Sequence, residues 1–131
     1  MSNLFHQNDQ SLNLPIIQKL IQAYKLWQSY SPNLPGTCRF TLGAKIDSTF
    51  LEILEPIFVA AHQSQFRERE RESKLMFLQK ANNKLDLLKF FLQVAWETKA
   101  LDNKKYITIS DNLHEIGRML GGWEKRISNK R

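Results

Sequence analysis

The chain has few of the residues that cross-link a protein or place it in a membrane. Its 131 residues include a single cysteine, Cys38, so an intrachain disulfide is excluded and a reducing compartment is expected. No apolar run approaches the roughly 20 residues of a membrane-spanning helix. The first residues, MSNLFHQNDQ, lack the basic segment and apolar run of a secretory signal. These absences predict a cytoplasmic protein with no membrane partner.

The motifs of common cofactor and metal sites are also missing. The sequence has no phosphate-binding loop of the form GxxxxGK[ST] and no dinucleotide turn of the form GxGxxG. Its three histidines, His6, His62 and His114, have no second ligand at HxxxH or CxxC spacing. We therefore expect no metal, no cofactor and no catalytic residues.

Positive charge is the main clue to a partner. Nineteen Lys and Arg residues against 13 Asp and Glu give a net charge of +6, which favours a polyanionic partner. Hydrophobic residues make up 42% of the chain, which argues against disorder, and the length suits one domain.

Apolar residues recur at helical spacing in four segments. The first helix is predicted from Pro15 to about Tyr30, and the second begins between Thr37 and Thr41, either of which is a suitable N-cap. The third is predicted from about Glu70 to Lys99 and the fourth from about Lys104 to Ser128. In the first helix the predicted buried stripe is Ile16, Leu20, Ala23 or Tyr24, and Trp27, and in the second it is Leu42, Ile46, Phe50, Ile53, Ile57 and Ala60. In the third helix it is Phe77, Leu78, Ala81, Leu85, Leu88, Leu92, Ala95 and Trp96. In the fourth it is Tyr106, Ile109, Leu113, Ile116, Leu120, Trp123 and Ile127.

This pattern predicts an all-α fold, an up-down-up-down antiparallel four-helix bundle over residues 14–128. Residues 1–13 are expected to be a flexible N-terminus and residues 129–131 a basic tail. Pro56 lies within the second helix, where we expect a kink. Gly117 and Gly121 are four apart and are predicted to let a neighbouring helix approach closely. Gly121 or Gly122 could alternatively end the fourth helix, although its apolar stripe favours continuation.

The third helix carries a second apolar group on another part of its circumference. Because a small domain cannot easily bury a helix on all sides, self-association is predicted through this group. Its members are Met76, Leu87, Phe90, Phe91 and Val94.

Several basic residues are candidates for a stripe that neutralises phosphates. Arg118 and Lys125 are seven apart on the fourth helix, and Lys80 and Lys84 are four apart on the third. The other members are Arg39, Lys45, Lys104, Lys105 and Arg126. The alternative is that these residues serve only solubility.

Four segments resemble one protein family over nearly the whole range from Leu14 to Trp123. They are LPIIQKL, RFTLGAKI, LQKANNKLDLLKFFLQVAW and HEIGRMLGGW, of which FTLG and EIGRMLGGW are the most specific. The chain thereby resembles the Avd proteins, the accessory variability determinants of diversity-generating retroelements. Pro56 and the charged run RERERE, residues 67–72, depart from the usual pattern at the second-to-third helix connection.

The resemblance implies a four-helix bundle that assembles into a pentameric barrel with a positively charged surface. It implies association with the element's reverse transcriptase and with template RNA or an RNA/DNA hybrid, in support of mutagenic cDNA synthesis. Arg39, Lys45, Lys84 and Arg118 match basic positions of the family, and Gly117, Gly121 and Trp123 match its fourth-helix signature, with an implied role in packing or subunit contact. The alternative is a scaffolding bundle related to the proteins encoded by ribosomal RNA intervening sequences, without a role in reverse transcription.

Overall fold

A computed structural model describes residues 14–129, which form four long helices and no strand. The helices are α1 (Pro15–Tyr30), α2 (Ala44–Ala61), α3 (Glu68–Glu97) and α4 (Asn103–Ser128). The predicted all-α fold is confirmed over this range. The predicted limits of the first, third and fourth helices agree with those observed to within two residues. The expected flexible N-terminus, and residues 130 and 131 of the expected basic tail, lie outside the described residues.

The connection from α1 to α2 differs from the prediction. A 3₁₀ turn at Ser31–Asn33 is followed by one helical turn, Gly36–Cys38, and by a π-helical segment, Arg39–Gly43, that runs directly into α2. Neither Thr37 nor Thr41 caps a helix, so the predicted threonine N-cap is wrong. The helical structure begins at Gly36 because Pro35, in an extended conformation, precedes it and supplies the carbonyl that the first turn bonds.

Gly43, at the end of the π-helical segment, is buried against this connection. A Cβ atom at this position would lie only 3.0 Å from Leu34 Cδ1. Leu34 is itself buried, and the connection packs so closely on the start of α2 that a side chain at residue 43 would require Leu34 to shift by a few tenths of an ångström.

Local signals explain the other helix ends. Pro15 occupies the first position of α1, where its missing N–H has no partner to lose. The Asp102 carboxylate accepts a hydrogen bond from the Lys105 backbone N–H at 2.9 Å and so caps α4. Just beyond the end of α3, Lys99 has a φ of 66°, the left-handed conformation that commonly follows a helix.

Helix-breaking residues are accommodated within two of the helices. Pro56 is buried inside α2, which continues to Ala61, and the kink expected there stays a prediction. Gly121 and Gly122 lie inside α4, which continues to Ser128. The predicted continuation of the fourth helix is therefore confirmed, and the alternative of a C-cap at these glycines is excluded.

The core lies between the four helices, with α1 and α3 each packed against both α2 and α4. The central residues of every predicted stripe are fully buried: Leu20, Ala23, Trp27, Ile46, Phe50, Ile53, Ile57, Ala60, Leu78, Ala81, Leu85, Leu88, Leu92, Ile109, Leu113, Ile116, Leu120 and Ile127. Among the other predicted stripe residues, Trp96 is exposed and stacks on Tyr106 with 4.8 Å between ring centroids, whereas Leu42, Phe77, Tyr106 and Trp123 are half-buried. Within residues 14–129, no helix combines the length and apolar character needed to cross a membrane.

Candidate nucleic-acid and subunit interfaces

The outward side of α4 carries a basic strip made of His114, Arg118, Gly121 and Lys125. These residues follow one another at steps of four, three and four, which places them on one side of the helix. All four are exposed. The strip therefore presents two basic side chains, one histidine and the backbone of one glycine to the solvent.

The two family-signature glycines of α4 have different surroundings. A Cβ at Gly117 would lie 3.3 Å from Lys89 Nζ and 3.5 Å from Leu85 Cδ2, so α3 does approach α4 closely there, as predicted. At Gly121 no residue of the range 14–129 outside α4 comes within 4 Å of the same position. The predicted close approach of a helix of the same protomer is therefore wrong at Gly121, because this residue points away from the bundle. A subunit contact there stays a prediction.

The two candidate lysines of α3 lie away from the α4 strip. Lys84 Nζ forms an ion pair with Glu52 Oε1 at 3.3 Å, so this lysine points toward α2 and its charge is locally compensated. Lys80, one turn earlier, is exposed.

Arg39 and Lys45 flank the start of α2. The Arg39 guanidinium donates to the Pro32 carbonyl oxygen at 2.6 Å and to the Leu34 carbonyl oxygen at 3.4 Å, so it holds the connection between α1 and α2. Lys45 is exposed on the first turn of α2. Arg39 therefore has a structural role in the protomer, whether or not it also contacts a partner.

These cations do not share one face of the protomer. Lys19 Nζ binds Glu115 Oε2 at 2.8 Å across the α1–α4 edge. This hydrogen bond, and to a smaller extent the charge of Arg118, lowers the pKa of Glu115. Arg118 thus lies near the α1–α4 edge, whereas Lys84 lies at the α2–α3 edge on the opposite side of the bundle. The single stripe considered from the sequence is not formed within one protomer.

An outer strip runs along the exposed side of α3. Its members alternate at steps of four and three, the spacing that a helix offers to a partner helix in a coiled coil: Met76, Lys80, Asn83, Leu87, Phe90 and Val94. Met76 is 72% exposed and Phe90 56% exposed, while Leu87 and Val94 are half-buried. Phe91 lies beside the strip, with its ring centroid 6.2 Å from that of Phe90. Of the second apolar group, Met76 and Phe90 are thus exposed and the other three members are half-buried; Lys80 belongs to this strip, and self-association through it stays a prediction.

Lys74 was not among the residues that sequence reasoning selected. Only 8% of this residue is exposed, and its Nζ donates to the Gln63 carbonyl oxygen at 2.9 Å and lies 5.3 Å from the centroid of the Trp123 ring. Burial lowers its pKa. The signal was present in the sequence, since position 74 precedes Leu78 by four and so falls on the buried stripe of α3.

Glu124, on the last turns of α4, is a second ionisable residue whose side chain is partly buried. Its Oε1 is buried without a hydrogen-bond partner among residues 14–129, and burial raises its pKa. The same range contains no group of three His, Cys, Asp or Glu side chains able to hold a metal ion.

The geometry defines a four-helix protein with a basic strip on α4 and a separate outer strip on α3 that carries exposed apolar residues. The chain belongs to the bAvd-like family, whose sequence model matches residues 14–127. No curated protein and no solved structure shows a significant match to the chain.

Proposed function

We propose that this protein is a non-catalytic accessory subunit of a diversity-generating retroelement. It acts in the cytoplasm, where it binds the element's reverse transcriptase and template RNA and supports mutagenic cDNA synthesis. The family match over residues 14–127 is the observation that carries this proposal. The net charge of +6 and the exposed basic strip of α4 support it, because phosphate neutralisation dominates the affinity of proteins for nucleic acids.

The basic strip of α4 is the preferred contact surface for nucleic acid because its cations are exposed and unpaired among the described residues. Arg118 and Lys125 are exposed and form no ion pair among the described residues, whereas Lys84 is paired with Glu52. An unpaired exposed cation can neutralise a phosphate, and so release the counterions condensed on the nucleic acid, without first breaking an ion pair within the protein. Gly121 lies between them with no side chain, so a nucleic-acid backbone or a polymerase surface can approach the helix closely.

The proposed bundle topology is antiparallel, up-down-up-down. Contacts between α1 and α4 support it, because Lys19 meets Glu115 while Lys105 meets the ring of Tyr30. Residue numbers therefore rise along α1 as they fall along α4. The helices α3 and α4 are also antiparallel by their contacts, since Lys74 near the start of α3 meets Trp123 near the end of α4, and Trp96 near the end of α3 meets Tyr106 near the start of α4.

The proposed assembly is a homopentameric barrel in which the outer strip of α3 is buried between subunits. This arrangement leaves α4 and its basic strip free for RNA and polymerase, since the two strips lie on different helices. A closed ring requires two different patches on each subunit. Leu51 and Phe58 provide a second exposed apolar surface, one that lies on α2.

Co-purification with the retroelement polymerase and its RNA at graded salt tests the function. We expect the double variant Arg118→Glu/Lys125→Glu to lose RNA at lower salt than wild type, with the slope of log affinity against log salt reduced by about two. The matched control is Lys25→Glu/Lys99→Glu, which changes the net charge equally through exposed lysines outside the strip.

Two results would contradict the proposal. If both double variants weaken RNA binding equally, net charge alone is responsible and the strip has no special role. If neither RNA nor polymerase is retained by wild-type protein at any salt concentration, the chain is a scaffolding bundle.

A further inference from the structure

A cavity of about 390 Å³ opens at one end of the bundle, where the starts of α1 and α3 meet the ends of α2 and α4. Lys74, Trp123 and Arg126 contribute its polar and aromatic lining, and Met119 and Pro15 are among its apolar walls. None of the described residues that line it is acidic. The described lining therefore combines apolar surface with two cations and no carboxylate.

Lys74 is the more deeply buried of the two cations in this cavity. It is almost fully buried, its one hydrogen bond goes to the neutral Gln63 carbonyl, and no carboxylate lies within 4.0 Å of it among the described residues. An ammonium group that has lost most of its water without gaining a counter-ion is destabilised. An anion that entered the cavity would supply the missing charge.

Arg126 adds a second cation from the last turns of α4. It is exposed and reaches the cavity, whereas its neighbour Lys125 belongs to the basic strip on the outward side of the helix. Its planar guanidinium group is suited to two simultaneous hydrogen bonds with a phosphate. The two cations thus reach the cavity from different helices, α3 and α4.

The remaining walls suit a flat ring. Trp123 is half-buried, with Lys74 Nζ 5.3 Å from its ring centroid, and Met119 lies one turn before it on α4. Aromatic side chains next to cations are the common means of holding an unpaired base and its phosphate. A ligand pocket for a ring-bearing small molecule begins at about 300 Å³, so the cavity has room for one nucleotide.

We propose that this cavity binds a nucleoside monophosphate group, with the base against Trp123 and Met119 and the phosphate between Lys74 and Arg126. The group is either a free mononucleotide or the 5′-phosphorylated end of an RNA chain. The second source rests on the proposed function, and the first does not. The cavity is a different site from the basic strip, because it takes one nucleotide and the strip follows a backbone.

Titration of the full chain with AMP tests the site by NMR of the tryptophan indole N–H signals. The Trp123 signal is assigned by its disappearance in Trp123→Phe. We expect AMP to shift this signal saturably and to bind at least about tenfold more weakly to Arg126→Gln and to Lys74→Met, since each loses a charged contact with the phosphate. Lys125→Gln is the matched control, which removes one charge from the adjacent residue and leaves AMP affinity unchanged.

Further ligands identify the chemistry and its source. Adenosine and inorganic phosphate are each expected to bind at least about tenfold more weakly than AMP, because each lacks one half of the recognised group. If an RNA end is the source, a 5′-phosphorylated single-stranded oligonucleotide displaces AMP and its 5′-hydroxyl counterpart does not. Displacement by neither oligonucleotide assigns the site to free mononucleotides.

Three results would overturn the inference. They are the absence of a saturable shift of the Trp123 signal at AMP concentrations on the order of 10 mM, equal AMP affinity in wild type and all variants, and inorganic phosphate affinity equal to that of AMP. The last would indicate a simple anion site. Each leaves the proposed function intact if the salt dependence of RNA binding still changes in Arg118→Glu/Lys125→Glu.

Discussion

Replacing Phe90 with glutamate tests the assembly of subunits independently of the folding of the protomer. Phe90 is 56% exposed on the outer strip of α3, so a glutamate side chain at this position extends into solvent in the isolated protomer. Glutamate is also a good helix former, and the helix itself is not weakened by the change. The substitution is therefore expected to act on the interface between subunits and to leave the bundle folded.

The size of the effect follows from the exposed area of the ring. A phenylalanine offers roughly 200 Å², and with 56% exposed about 110 Å² is available for burial between subunits. At about 25 cal/mol per Å², its loss costs about 3 kcal/mol for each contact. Because about 1.4 kcal/mol is a factor of ten, the association constant falls by about 100-fold, before the cost of burying a carboxylate is added.

Sedimentation velocity at micromolar concentration measures the assembly, and circular dichroism measures the helical content. Ile107→Glu is the matched control, because Ile107 is 57% exposed but lies on α4, outside the outer strip of α3. We expect Phe90→Glu to sediment as a folded monomer and Ile107→Glu to sediment like the wild type. A wild type that is monomeric at this concentration, or a Phe90→Glu variant that stays fully assembled, would refute the role of the strip.

Two further predictions concern α4. Burial raises the pKa of Glu124 above its ordinary value of 4.5, so the folded protein holds this proton more tightly than the unfolded chain does. The resulting stability is complete below pH 4.5 and is lost as the pH rises through the raised pKa. Glu124→Gln should remove this loss and raise Tm at pH 7, and Glu55→Gln, at an exposed residue, is the control. Equal changes of Tm in both variants across that pH range would contradict the reasoning. Gly121→Ala should stabilise the helix by up to about 1 kcal/mol, or about 4 °C in Tm, because no neighbouring residue that the structure describes occupies the space its Cβ would enter. A fall in Tm at fixed protein concentration would show that another chain packs against Gly121.

Much of the fold followed from local patterns. The stripe Ile109–Leu113–Ile116–Leu120 is fully buried as expected, because helical spacing alone decides which residues of an amphipathic helix share a face. The start of α2 did not follow, since a π-helical segment, Arg39–Gly43, precedes it and the last residue of this segment packs against Leu34, nine positions earlier. Capping preferences cannot predict this contact, because they describe only residues within a few positions of the helix start.

The candidate site was less predictable than the fold. The candidate basic residues could be named from the sequence, but Lys84 and Arg118 lie at opposite edges of the bundle, and Lys84 is paired with Glu52. Lys74 falls on the buried stripe of α3 by its spacing, but lysine is almost never fully buried, so residue type alone favours an exposed position there.

The sequence by itself determined four helices, the side that each turns toward the core, and an excess of positive charge. The spacing of side chains within one helix is set by the backbone, at 3.6 residues per turn, and needs no knowledge of the other helices. Only the tertiary structure decided which cations become neighbours, that Gly117 meets α3 while Gly121 faces outward, and that Lys74, Trp123 and Arg126 line one cavity. Those relations depend on how each helix is rotated against the next, and packing of the whole core sets that rotation.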